Sequence, residues 1–357
     1  MQTRRGFIAS IMAASSLPAL SWADAGSPAY LGAARRGDGS FALFGLTGGG
    51  DDVFRITLPD RGHAAAAHPT APEAVAFARR PGTFALVIDC VTGAVAHRME
   101  APQGRHFYGH GTFIAGGDVL CTPENAYETG EGRIGLWARR EGYRRIGDIP
   151  SHGIGPHDVL TLGGDVLVVA NGGIRTHPDQ GREKLNLDTM VPSLAYVTPE
   201  GALLDSVELT PDLHRNSIRH LSVGPDETVA FAMQWQGDVT DPVPLLGLHR
   251  RGSGAPVLAK ADLAEQLAME GYAGSVAWSG DGTRVGITSP RGGRVHLFDA
   301  AGAFLETCRR ADVCGLARGV RGFVASDGTG GFSEIDRRLT PGQVHPDRAW
   351  DNHLIAI

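Results

Sequence analysis

The sequence has no excess of basic residues, the feature that would indicate a nucleic-acid-binding protein. Its 357 residues carry a formal net charge of -6 and its pI is about 6.1, so no electrostatic footprint for a polyanion is present. Four short catalytic motifs are also absent from the sequence: GxSxG, the P-loop, CxxCH and HExxH. These absences exclude nucleic-acid binding and give no support to the enzyme classes that those motifs mark.

Cysteine is scarce, with only Cys90, Cys121, Cys308 and Cys314. In an oxidising compartment Cys308 and Cys314 could form a disulfide across one short turn, or Cys314 could instead act as a soft metal ligand. The sequence does not decide between these roles.

The sequence contains no apolar run long enough to cross a bilayer comfortably. Residues 1–23 instead resemble a Tat-type export signal, with twin arginines at Arg4 and Arg5, a modest apolar stretch over residues 7–20, and small residues up to Ala23. We expect cleavage after Ala23, and a periplasmic protein whose residues 24–357 form one domain without a membrane span.

Glycine and proline are abundant, at 50 and 21 residues, as expected of a fold with many turns between short strands. An internal repeat of about 48 residues organises these strands into seven units of four. The seventh unit has a single strand at the carboxyl end of the chain, and three matching strands lie near the amino end. The sequence therefore predicts an all-β, seven-bladed β-propeller whose last blade is closed by N-terminal strands together with the C-terminal strand. The first strands of the seven units begin with the segments GHAAAAHP, GHGTFIAGG, PHDVLTLGG, RHLSVGPDE, GSVAWSGDG, CGLARGVRG and NHLIAI.

Histidine recurs at one position of the innermost strands, which line the central channel of a propeller. The aligned residues are His63, His110, His157, His220, Ser275, Gly315 and His353. Neutral imidazoles suit iron, copper, nickel and zinc, whereas calcium and magnesium prefer oxygen ligands. The sequence therefore predicts a transition-metal site formed by five histidines, although a polar lining of a wet channel is the alternative. We expect metal binding to be lost below about pH 6, where imidazoles are protonated.

The loops on the face where the first strands begin surround the mouth of this channel. Residues predicted to shape the mouth and to contact a bound anion are Arg79, Glu124, Asn171, Arg175, Gln234 and Arg291. Three loop histidines could orient the metal-binding histidines without binding the metal themselves, namely His106, His152 and His177. Strand alternation predicts that Asp158, next to His157, points away from the channel.

Several short segments of the sequence resemble those of a bacterial family known only as domain-of-unknown-function family 1513. They are GRHFYGHG, PSHGIGPHDV, NGGIRTHPD, GREKLNLDTM, SIRHLSV, AFAMQWQGD and TSPRGG. The resemblance implies Tat export, a propeller-like fold, and genes close to those of imelysin-type iron-uptake proteins and di-haem thiol-oxidoreductase-like proteins. It implies no catalytic residues.

Taken together, the residues and the resemblance favour a periplasmic protein that binds iron or copper, or a complex of such a metal, in metal uptake or handling. Imelysin-type iron-uptake proteins are the expected partners. A metal-dependent oxidoreductase and a scaffold that binds protein partners without metal are the two alternatives that the sequence leaves open.

Overall fold

The structure is a computed structural model that describes residues 20–79, 83–181 and 183–357. The described residues form 29 strands in seven antiparallel sheets, arranged as the blades of a propeller. The predicted fold class is confirmed. Among these residues, no helix has the length and apolar character needed to cross a membrane.

Blade 7 closes the ring with both ends of the chain. Its strands run from the channel outwards in the order β29, β1, β2, β3, as predicted. Trp350 and Leu354 of the last strand are buried in a hydrophobic cluster with residues of β1 and β2. The strand bounds are β1 (Tyr30–Arg36), β2 (Phe41–Leu46), β3 (Asp52–Leu58) and β29 (Arg348–Ala356).

Blades 1 to 3 follow β3 along the chain. Blade 1 comprises β4 (Gly62–Ala67), β5 (Glu73–Ala78), β6 (Phe84–Asp89) and β7 (Ala94–Glu100). Blade 2 has an inner strand in two pieces and comprises β8 (Arg105–Phe107), β9 (Thr112–Ile114), β10 (Val119–Ala126), β11 (Glu131–Ala138) and β12 (Arg144–Pro150). Blade 3 comprises β13 (Pro156–Thr161), β14 (Leu167–Asn171), β15 (Ser193–Val197) and β16 (Leu203–Glu208).

Blades 4 to 6 complete the ring. Blade 4 comprises β17 (Asn216–Val223), β18 (Val229–Trp235), β19 (Leu246–His249) and β20 (Val257–Ala259). Blade 5 comprises β21 (Ser275–Trp278), β22 (Arg284–Ser289), β23 (Arg294–Asp299) and β24 (Phe304–Arg309). Blade 6 comprises β25 (Val313–Arg318), β26 (Phe323–Asp327), β27 (Gly331–Ile335) and β28 (Leu339–Val344). One short helix, α1 (Leu263–Leu267), lies between blades 4 and 5. The 3-10 turns are Ala115–Gly117, Arg139–Glu141, Gly163–Asp165, Pro178–Gln180, Leu187–Thr189, Pro211–Leu213 and Pro225–Glu227.

The hydrophobic core lies between neighbouring blades, because each sheet buries both of its faces. Between blades 1 and 2, for example, Phe77 and Phe107 are fully buried, with ring centroids 6.3 Å apart. Burial of apolar surface contributes about 25 cal/mol per Å², so these interfaces hold the ring together and fix the positions of the inner strands.

The inner strands that carry histidine are irregular at the histidine. In β13 the register with β14 shifts between Pro156 and Asp158, and in β17 the register with β18 shifts between Ile218 and His220. A similar shift occurs in β4 after Gly62, and residues 351–353 of β29 bulge out of the pairing with β1. In blade 2 the histidine lies in the gap between β8 and β9. A β-bulge breaks the alternation of side chains, so consecutive residues at these places can both face the channel.

The predicted export signal lies mostly outside the described residues, including its twin arginines. The predicted cleavage site, after Ala23, falls in a turn in which Trp22 donates a hydrogen bond to the carbonyl of His68 at 2.9 Å and packs against the cluster between blades 7 and 1.

Candidate metal centre

The five channel histidines come together at the centre of the propeller. The shortest centroid distances, 4.6 Å each, join His63 to His353 and His220 to His353. His157 lies 4.8 Å from His220, and His110 lies 4.7 Å from His353. The inner segments of five blades thus bring all five imidazoles into contact.

The imidazoles form two groups of three that share His110. One group is His63, His110 and His157, and the other is His110, His220 and His353. Within each group, one nitrogen of every ring lies within 4.8 Å of the others. Either group offers three nitrogen ligands, and the fold presents them without any linear motif.

One ring nitrogen of each histidine is buried and has no hydrogen-bond partner among the described residues. These atoms are His63 Nδ1, His110 Nε2, His157 Nδ1, His220 Nδ1 and His353 Nε2. A buried polar atom without a partner costs about 1–3 kcal/mol. Five such atoms in one place therefore point to a bound species, either a metal ion or ordered water.

Two carboxylates face the ring from opposite sides. Asp158 Oδ1 lies 3.3 Å from His110 Nδ1, and Asp351 Oδ1 lies 3.9 Å from His63 Nδ1. The backbone N–H groups of Val159 and Leu221 donate to Asp158, which fixes its side chain between blades 3 and 4. The prediction that Asp158 points away from the channel was wrong, because the bulge in β13 breaks the alternation on which that prediction rested.

Burial favours the neutral form of four ring imidazoles by lowering their pKa values. It lowers the pKa of His63 to about 4, although Asp351 opposes the shift. Burial, with smaller contributions from neighbouring histidines and arginines, also holds the pKa values of His157, His220 and His353 well below their usual range. A neutral imidazole retains the lone pair that binds a metal.

The histidine ring separates two cavities along the channel. The outer cavity, of about 200 Å³, opens on the predicted functional face and is lined by His63, Arg79, Tyr108, His157, Arg219, His220, Gln234, Tyr272 and Asn352. The inner cavity, of about 220 Å³, is lined by His110, Asp158, His220, Ser275 and His353 together with apolar side chains of the inner strands. His220 borders both cavities.

Three of the residues predicted at the channel mouth lie there. Arg79 and Gln234 line the outer cavity, and the Arg291 guanidinium lies 4.5 Å from the ring of Tyr272, which also lines it. Arg79 is held at 3.1 Å from the carboxylate of Asp351.

The other three predicted mouth residues have contacts elsewhere. Glu124 is fully buried within blade 2 and pairs with Arg105 and Arg145 at 3.1 and 2.6 Å. Asn171 donates to the carbonyl of Ser151 at 2.9 Å. Arg175 donates to the carbonyl of Glu128 at 3.0 Å. Position in a strand or loop placed these residues on the correct face, but their side chains do not line the outer cavity.

The three loop histidines do not contact the ring imidazoles. His106 accepts a hydrogen bond from Asn125 at 3.0 Å, and its ring lies 5.3 Å from that of Tyr108. His152 donates to the carbonyl of Gly201 at 2.9 Å. His177 caps a short 3-10 turn by accepting from the Asp179 N–H.

Cysteine does not enter the site. All four cysteines are free and buried, so Cys308 and Cys314 form no disulfide. The Cys314 thiol faces the Asp351 carbonyl at 3.3 Å, inside the hydrophobic cluster of blades 6 and 7, and burial raises its pKa. This thiol is therefore not a ligand of the ring.

Sequence reasoning missed several residues around the ring. Arg219 and Asn352 immediately precede ring histidines and line the outer cavity, whereas Asp158 immediately follows one and lines the inner cavity. Tyr108 and Tyr272 come from segments at the ends of strands. The only available signal was adjacency to a ring histidine, which strand alternation argued against.

Comparison with protein families gives a match over most of the chain. Residues 56–357 match the family described as "Protein of unknown function (DUF1513)". The chain belongs to this family. The family described as DUF1513 carries no assigned activity in that description, so the function must be argued from the site. A comparison with curated proteins finds no match.

Solved structures similar to this DUF1513 protein show the fold alone. A structure titled "Kuenenia stuttgartiensis Hydrazine Synthase" aligns with a TM-score of 0.57 at 11% identity, over 82% of this chain and 90% of that chain. A structure titled "Crystal Structure of Mitotic Checkpoint Complex" aligns with a TM-score of 0.57 at 12% identity, over 80% of this chain and 77% of that chain.

Proposed function

We propose that this protein binds a transition-metal ion, iron or copper, through the histidines of the central channel, and that it acts in metal uptake or handling in the periplasm. The observation that carries the proposal is the convergence of five buried ring nitrogens that lack hydrogen-bond partners among the described residues. Leaving such atoms unpaired is costly, and a metal ion would satisfy several of them at once.

The donor set fits a borderline transition metal. Imidazole nitrogen binds iron, copper, nickel and zinc, and bonds of about 2.0–2.1 Å require ligand nitrogens roughly 3 Å apart. The nitrogens within each group lie at most 4.8 Å apart, so small side-chain rotations suffice. Asp158 would orient His110 by accepting from its Nδ1–H, which leaves Nε2 as the ligand atom.

The cellular setting rests on the sequence. The twin arginines Arg4 and Arg5 support export by the Tat route to the periplasm. The resemblance stated above supports imelysin-type iron-uptake proteins as partners. Both belong to the proposal, and neither depends on the geometry of the ring.

A metal-dependent oxidoreductase is the second candidate. The outer cavity adjoins His63, His157 and His220, so a metal bound there would keep coordination positions open towards a substrate. Open positions convert a structural metal site into a catalytic one. Turnover of a substrate by metal-loaded protein would separate this candidate from simple binding.

The deciding experiment measures metal content by inductively coupled plasma mass spectrometry on protein exported through its own signal. Near-stoichiometric iron or copper is expected in the wild type and is expected to be lost in the double variant His110→Ala, His220→Ala. The matched control, His97→Ala with His152→Ala, removes two exposed histidines and should keep the metal. Circular dichroism checks the fold of each variant, and His157→Gln replaces the double variant if that fails to fold. Metal-free wild type, as stable as the ring variants, would overturn the proposal and favour the scaffold.

A further inference from the structure

The described lining of the outer cavity contains more positive than negative charge. Arg79 and Arg219 line it, and no aspartate or glutamate is among its described lining residues. Arg291 stands over Tyr272 and forms no ion pair with the residues that the structure describes. Asp351, next to the lining residue Asn352, is shared by Arg61 at 2.6 Å and Arg79 at 3.1 Å, so two cations offset one anion.

The long loop between β14 and β15 adds a further cation to this face. Burial, and then the positive charges of Arg219 and Arg291, lower the pKa of Lys184. Lys184, Arg219 and Arg291 thus come from blades 3, 4 and 5, and the positive charge of the two arginines opposes the protonation of Lys184. Such repulsion is offset when an anion binds between them, and guanidinium groups are suited to oxygen anions because they donate paired hydrogen bonds.

The two sides of the histidine ring differ in chemistry. The inner cavity contains the carboxylate of Asp158 and apolar side chains such as Leu160 and Leu316, which disfavour an anion. The outer cavity combines the cations with the neutral donors Gln234 and Asn352, and it borders the unpartnered nitrogens of His157 and His220. An anion would therefore enter from the outer face and stop above the ring.

We propose that the outer cavity binds a small polyvalent anion with oxygen donors, a polycarboxylate or a phosphate, directly above the histidine ring. The inference deepens the proposed function, because such an anion would contact a metal held by the ring from the side of His63 and His157. The cation cluster also predicts that the anion binds the metal-free protein. A cavity of about 200 Å³ suits a small molecule rather than a peptide or a nucleic acid.

The test is isothermal titration calorimetry of citrate and of inorganic phosphate into protein treated with a chelating resin, at low ionic strength. Saturable binding of at least one anion is expected, with an affinity about tenfold lower in Arg219→Gln and in the double variant Lys184→Gln, Arg291→Gln. Arg175→Gln is the matched control, because it removes a cation of the same face that is held at Glu128, and its affinity should be unchanged. Glycerol should not bind.

The comparison of citrate with phosphate distinguishes the two ligand classes. If neither anion binds saturably, or if the variants bind as tightly as the wild type, the inference is overturned. The same titrations on zinc-loaded protein separate this failure from that of the proposed function. If the protein binds metal but no anion, the proposed function stands and the anion site is overturned. If it binds an anion through Arg219 but binds no metal, the anion site stands and the proposed function is overturned. If Arg219→Gln does not fold, the Lys184 and Arg291 variant decides alone.

Discussion

Four of the five ring histidines lie where burial disfavours their protonated forms. Burial holds the pKa of His63 at about 4 and those of three other ring histidines well below 6.5. An ordinary imidazole would lose its metal near pH 6. In this environment the competition from protons begins at a lower pH, so metal binding should persist below the limit of about pH 6 that the sequence alone suggests.

The lowered pKa values of these histidines also predict how the stability of the metal-free protein depends on pH. Unfolded histidine has a pKa of about 6.5, so between pH 6.5 and about 4 the unfolded state binds more protons than the folded state, and stability falls as the pH falls. Each such histidine contributes up to about 1.4 kcal/mol per pH unit. Urea unfolding at several pH values between 7 and 4.5 would measure the slope, which should be smaller in His63→Gln than in His97→Gln. A free energy of unfolding that is constant or rises towards acid would contradict the low pKa values.

At the scale of the strand, the bulges decide which side chains meet. His157 borders the outer cavity and Asp158, the next residue, borders the inner one; Asn352 and His353 divide in the same way. Ser275 in blade 5 pairs regularly with Thr288, but the inner strand of blade 6 also shifts register between Val313 and Leu316, so the shifts are not confined to strands that bear histidines. Where a shift falls at a ring histidine, it lets neighbouring residues face different cavities.

The glycine before His110 shows how tightly the ring is enclosed. Gly109 has φ +93°, and a Cβ there would lie 2.6 Å from Cδ2 of His63. Gly104, in the same blade, has φ +80° and open space around it. Alanine at either position costs about 1–2 kcal/mol for the left-handed backbone, but only Gly109→Ala should also displace His63 and weaken metal binding. Chemical unfolding and a metal competition assay on both variants would measure this. Equal metal affinity in the two would show that His63 is not a ligand.

The sequence repeat was sufficient to predict the positions of the inner strands. The bulges made the directions of their side chains unpredictable. Aligned first strands were sufficient to place five histidines on one ring, because position along a strand survives a bulge. The direction of the Asp158 side chain was not predictable, because it depends on a β-bulge, and the bulge has no periodic signature in the sequence. Glu124 and Arg175 were assigned to the correct face, but their partners, Arg145 and the Glu128 carbonyl, are set by packing inside blade 2 and its hairpin.

At the scale of the whole molecule, the ring joins blades that are distant in the chain. Its histidines come from blades 1, 2, 3, 4 and 7, and blade 7 contains both ends of the described chain. The seven-fold repeat and the closure of the last blade were predictable because each blade repeats the same strand pattern. The distances between the ring nitrogens were not predictable in the same way, because no sequence repeat specifies them.

A metal bound by histidines of several blades should stabilise the entire propeller, because the site exists only when the ring is closed. A ligand that binds only the folded state adds about 2.7 kcal/mol at a concentration of 100 times its Kd, and about 1.4 kcal/mol for each further tenfold increase. The Tm measured by circular dichroism should therefore rise with the logarithm of the metal concentration and return to its starting value with a chelator. The His110→Ala, His220→Ala variant should show no rise, whereas the His97→Ala, His152→Ala variant should follow the wild type. An equal rise in both variants would place the stabilising metal outside the ring.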